Sequence, residues 1–141
     1  MYKTIKVDGN DYKLQYSVEA AMYDECTAKV ITLMTAIGDE KEDEENLKSK
    51  IKEISSIPNL AVSMFYAALL QHHGTEAGDG TVRSISEAKN ILARYILEND
   101  SDFFSVVNML LEQMGEDGFF KLIGLEKMMQ SEEEQEKNKK N

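Results

Sequence analysis

The stretch NLAVSMFYAALLQHH, Asn59 to His73, decides the fold. Its apolar residues fall on nearly every side of a helical wheel, and an element of that kind belongs in the middle of a domain or of an assembly. Its longest apolar run, Leu60 to Leu70, is interrupted by Ser63 and reaches about half of the roughly 20 residues that a bilayer span requires. No membrane crossing is expected. Gly74 ends the helix, which places His72 and His73 in its last turn, where imidazoles suit the negative end of the dipole and can bond free carbonyls. Adjacent helical side chains diverge by about 100° and no third ligand is evident, so the pair predicts capping rather than a metal site.

Upstream, Ile57-Pro58 interrupts the helical pattern, because proline lacks an N–H and restricts the residue before it. Leu47, Ile51 and Ile54 mark a short helix before that break. The run GDEKEDEEN, residues 38–46, reads as a solvated linker or the acidic start of this helix, since it lacks the Asp-x-Asp-x-Asp-Gly framework of a calcium loop. Earlier still, Val18, Met22, Cys26, Val30, Leu33 and Ile37 recur every three or four residues as one stripe, capped by Ser17 and closed at Gly38. Met22 and Cys26 therefore read as core, and the thiol as buried rather than nucleophilic. In YKTIKVDGNDYKLQYS, Ile5 and Val7 alternate on one arm and Tyr12, Leu14 and Tyr16 on the other, around Asp8-Gly9-Asn10-Asp11. This predicts a β-hairpin over about residues 2–16, and such a hairpin is marginal unless it lies against something else.

Downstream, GTEAGDGTVR reads as a loop, too irregular to cradle a phosphate. Ser84-Ile85-Ser86-Glu87 has the form of a capping box, and Ala88, Ile91, Leu92, Tyr95 and Ile96 supply the stripe beyond it. A further helix, capped by Asp100 or Ser101, carries Phe103 to Met114 and stops at Gly115. A last helical segment runs from Phe119 to Met129 with a break at Gly124. The tail SEEEQEKNKKN, residues 131–141, has no apolar residue and is expected to be disordered. The fold class expected is mainly α: a compact bundle of five or six helices with an N-terminal β-hairpin, in a single domain over residues 1–130.

Composition narrows the function. The chain is 42% hydrophobic and 30% charged, with 26 acidic against 16 basic residues and a net charge of −10, a balance that repels phosphate backbones and predicts no nucleic-acid binding. One cysteine, and an N-terminus without the apolar core of a signal peptide, fit a reducing cytoplasm. No Gly-x-Ser-x-Gly, Cys-x-x-Cys or His-Glu-x-x-His occurs, so no catalytic residue, cofactor or metal is expected and the protein reads as a non-enzyme. What stands out is a set of apolar doublets: Phe65-Tyr66, Leu69-Leu70, Phe103-Phe104, Leu110-Leu111, Phe119-Phe120 and Met128-Met129. Each widens an apolar face beyond what one neighbour can cover, and a small domain has little core to spare for the late ones. Phe119, Phe120, Met128 and Met129 are the expected client or self-association residues, with Phe103 and Phe104 next. The 8 methionines suit a surface that adapts to varied apolar ligands.

The blocks YKLQYSVEAAMYDECTAKVITLMTAIG, IPNLAVSMFYAALLQHHGTE, DGTVRSISEAKNILARYILEN and MGEDGFFKLIGLEKMMQ resemble, in order and character, the tail assembly chaperones of siphophages of Gram-positive hosts, especially the lactococcal type. The likeness extends to about Gln130. It implies a non-enzymatic protein of the host cytoplasm that binds the long helical tape measure protein and keeps it soluble until the tail tube polymerises around it. It also implies self-association and absence from the finished virion. The composition leaves a second expectation open, an acidic decoy that sequesters a basic host or phage protein.

Overall fold

The structure is a computed structural model that describes residues 1–37 and 44–130, apart from the side chains of Ile37, Glu44 and Ile54. Gly38, most of the acidic run and the 131–141 tail lie outside the described residues. The architecture is mainly helical with an N-terminal antiparallel hairpin.

Strands β1 (Lys3–Val7) and β2 (Asn10–Leu14) pair with Val7 opposite Asn10 and Ile5 opposite Tyr12. Only Asp8 and Gly9 form the turn, both at positive φ (50° and 79°), which matches the twist of a two-residue hairpin and suits Asp-Gly. Asn10 and Asp11, expected in the turn, are already strand. Period-2 alternation buries Ile5, Val7 and Leu14 on one face.

The predicted helix over 18–37 is two elements, α1 (Val18–Ala21) and α2 (Asp24–Ile37). The Tyr23 amide closes a tight turn on the Ala20 carbonyl, and Thr27 Oγ1 donates to the Ala21 carbonyl that the break leaves without a helical partner. Ser17 sits at the N-cap position without a side-chain bond, and its Oγ is buried and unpartnered. The break turns Val18 and Met22 outward, 57% and 73% exposed, while Cys26, Val30 and Leu33 stay fully buried. Met22 is thus surface rather than core.

After α3 (Glu44–Ile54), Ser56 caps α4 (Ile57–His73) by accepting from the Asn59 amide, and Pro58 lies in the first turn, where its missing N–H costs nothing. The break falls at Ser55-Ser56, so proline opens α4 instead of interrupting the pattern. α4 packs against β2, α1, α2, α3, α5 and α6, as its all-round apolarity requires. Ala67 and Ala68, both fully buried, let β2 approach closely enough for the Gln15 amide to bond the Ala68 carbonyl at 2.9 Å.

α5 (Ile85–Glu98) starts at the predicted capping box: Ser84 Oγ accepts from the Glu87 amide, and Glu87 reaches back one residue further, to the Arg83 amide. Asp102, not Asp100 or Ser101, caps α6 (Phe103–Glu116) by accepting from the Ser105 amide at 2.7 Å. Gly115 lies within α6; the reversal comes at Gly118, φ +71°. α7 (Phe119–Leu122) ends before Gly124, φ +81°, and residues 125–130 form α8. The described helices number eight because both the 18–37 and 119–130 segments divide.

Candidate interaction surface

The apolar doublets split, as a 100° rotation between neighbours requires. Phe104 is 9% exposed and belongs to the core, with Lys48 Nζ 4.9 Å above its ring. Phe119 is fully buried, its ring 5.1 Å from that of Tyr16. Neither can face a client, which corrects the expectation for both. Phe103 and Phe120 are half-buried against the core, Met129 is half-buried, and Met128 is 39% exposed. Phe103 lines a cleft between the start of α4 and α5, together with Pro58, Val62 and Ala93.

A larger cleft, of about 360 Å³, opens where α1, α4 and the loop after α4 meet. Met22, Tyr23, Tyr66 and Leu70 line it, and Glu19 and Glu76 complete its wall. Tyr23 and Tyr66 meet edge to face, 5.2 Å between centroids at 86°. The Tyr23 hydroxyl donates to Glu25, which lowers the Glu25 carboxyl below its ordinary range with help from Lys29; burial first, and that same bond second, push the phenol up. The phenol therefore stays neutral and the carboxylate charged. Lys29 also bonds the buried Ser63 Oγ at 3.0 Å, pinning α2 to α4. α7 packs on α1 and adds Leu122, 47% exposed, so exposed apolar side chains occur on both elements.

Sequence reasoning missed Val18, Met22 and Leu122 because their spacing fits a continuous stripe. One signal was present: Asp24-Glu25 is the acidic first turn of a new helix.

Both histidines lie in the last turn of α4, ended by Gly74 as expected, but their side chains bond the hairpin and the following loop rather than the free carbonyls of the helix end. His73, 7% exposed, accepts the Lys13 amide of β2 at Nε2 (2.9 Å), so the proton sits on Nδ1, which faces Thr81 Oγ1 at 3.2 Å and Asp79 Oδ1 at 3.5 Å. His72 Nε2 bonds Gln15 Oε1 at 2.7 Å. Together with the Tyr16 hydroxyl on the Met64 carbonyl, these bonds fasten the hairpin along α4. The carbonyls of His72 and His73 are taken by the loop amides of Asp79 and Val82. Among the described residues no group of three His, Cys, Asp or Glu side chains could hold a metal, and no single helix is long and apolar enough to cross a membrane. Burial pushes the Cys26 thiol up to about 12, so it has little thiolate character.

No protein-family model, curated protein or solved structure matches the chain.

Proposed function

We propose that this protein is an assembly chaperone that binds a long helical client, the tape measure protein of a tailed phage, through exposed apolar surface and keeps it soluble until the tail tube polymerises around it. The observation that carries this reading is the apolar surface on and around α1: Val18 and Met22 stand exposed, and Met22 lines the cleft with Tyr23, Tyr66 and Leu70. A long amphipathic helix aggregates through its apolar stripe unless that stripe is covered. A cover that carries a net charge of −10 also keeps the resulting complexes apart. The protein acts in the host cytoplasm on this reading, forms oligomers on the client, and leaves before the tail is complete.

Co-expression with the long helical protein encoded beside it tests the proposal. The client moves from pellet to supernatant with the wild-type chaperone, and this effect falls sharply with Met22→Ser, which removes exposed apolar surface without adding charge and leaves the core untouched. An unchanged pellet with the wild-type protein counts against the reading. Capture of basic proteins that is abolished by salt, with no effect on the client, supports the acidic decoy instead.

A further inference from the structure

We propose that the cleft between α1, α4 and the loop after α4 is a socket for a cationic side chain, and that the partner segment it takes is amphipathic, with Lys or Arg set among apolar residues. The inference rests on the chaperone reading for the identity of the partner, while the socket is defined by its own side chains. Tyr23 and Tyr66 stand at 86° to one another and both line the cleft. Aromatic faces carry the negative part of the ring quadrupole, and a cation held against them gains most where water is partly excluded. Met22 and Leu70 supply apolar surface for the methylene stem that such a cation brings with it.

The rim decides the sign of the occupant. Glu19 comes from α1 and Glu76 from the loop, and neither takes part in an ion pair among the described residues. A purely apolar segment would cover two carboxylates and leave them without a partner, and an acidic segment would be repelled. A second copy of this chain brings a net charge of −10 against −10 and is a poor fit for the same reason. At about 360 Å³ the cleft is near the lower end of the ligand-sized range of roughly 300–1,000 Å³, so it takes one or two side chains of a helix that lies across it.

The test uses the full chain and three synthetic amphipathic helical peptides that differ at one central position, Lys, Gln or Glu, with binding read by calorimetry at low and high salt. The Lys peptide binds about tenfold more tightly than the Gln peptide, as a desolvated cation–π contact plus rim ion pairs predicts, and the Glu peptide binds least. In the Glu19→Gln/Glu76→Gln variant, whose fold is checked by circular dichroism, the preference for Lys falls to about threefold, the share that the tyrosine faces supply once the rim pairs are gone. Tyr66→Leu, which keeps an apolar side chain there, reduces the preference as well. Equal affinity for all three peptides, or a Lys preference that the double substitution leaves undiminished, overturns the socket. So does a wild-type dimer that covers the cleft and that no peptide displaces. If the client is solubilised but no Lys preference appears, the socket fails and the chaperone reading stands. If the Lys peptide docks as described but the client stays in the pellet, the chaperone reading fails and the socket stands.

Discussion

His72 and His73 are neighbours in the chain but hold different parts of the hairpin, one through the Gln15 side chain and one through the Lys13 amide. Burial first, then the charge of Lys13, set the His72 imidazole below its ordinary value, with Asp79 opposing. The folded state therefore resists a proton that the unfolded chain accepts near pH 6.5. Below that pH the unfolded state binds more protons, so the stability contributed by His72 is fully present above about 6.5 and is lost as pH falls through the lowered folded value. His72→Gln, which can keep a bond to Gln15, is expected to flatten the dependence of urea midpoint on pH between about 7.5 and 5; a slope equal to that of the wild type would rule out this role. Gly78 is constrained differently. A Cβ there would lie 2.4 Å from both the His72 carbonyl carbon and the His73 nitrogen, because the loop folds back to give its amides to the end of α4. Gly78→Ala is expected to cost about 1–3 kcal/mol in urea unfolding, as overpacking against backbone does, whereas Thr75→Ala, on the exposed part of the same loop, is expected to be close to neutral.

The elements were legible in the sequence where one local rule governed them. Asp8-Gly9 specifies a two-residue turn, the all-round apolarity of residues 59–73 specifies a central helix, and Ser84 with Glu87 specifies a helix start. Ser84→Ala is expected to lower stability by about 1 kcal/mol, with faster amide exchange confined to the first turn of α5; exchange unchanged at the Glu87 amide would show that the cap is idle. Boundaries were lost where two local rules agreed with more than one answer. Val18 and Met22 fit the stripe of a longer helix as well as they fit a separate turn; apart from the acidic pair Asp24-Glu25, it is the docking of α1 on α4 that separates the two. Likewise Gly115 looks like a helix terminator, yet α6 continues through it because Asp117 closes the end, its carboxylate accepting the Tyr16 amide and Gln113 Nε2. These are contacts across the chain, and no spacing within a helix encodes them. The same limit applied to the doublets: spacing marks both members as apolar, and tertiary contact decides which one is buried.

At the scale of the molecule, the hairpin and the helices share one core centred on α4, so a substitution in that core and one at the α1 surface should be separable by experiment. Phe119 closes the core from the C-terminal side against Tyr16, which itself hangs on the Met64 carbonyl of α4. Phe119→Ala should therefore cost about 3–5 kcal/mol, a large share of the roughly 5–15 kcal/mol that holds a domain of this size together. Met22→Ala, at 73% exposure, should change stability by less than about 0.5 kcal/mol. Function should sort the other way. Purified at low temperature, the Phe119 variant keeps its α1 surface and binds an amphipathic helical peptide whenever it is folded, so its defect disappears as temperature falls. The Met22 variant melts like the wild type and binds the peptide weakly at every temperature. A Met22 variant that loses stability as the Phe119 variant does would return Val18 and Met22 to the core and remove the surface on which the chaperone reading depends.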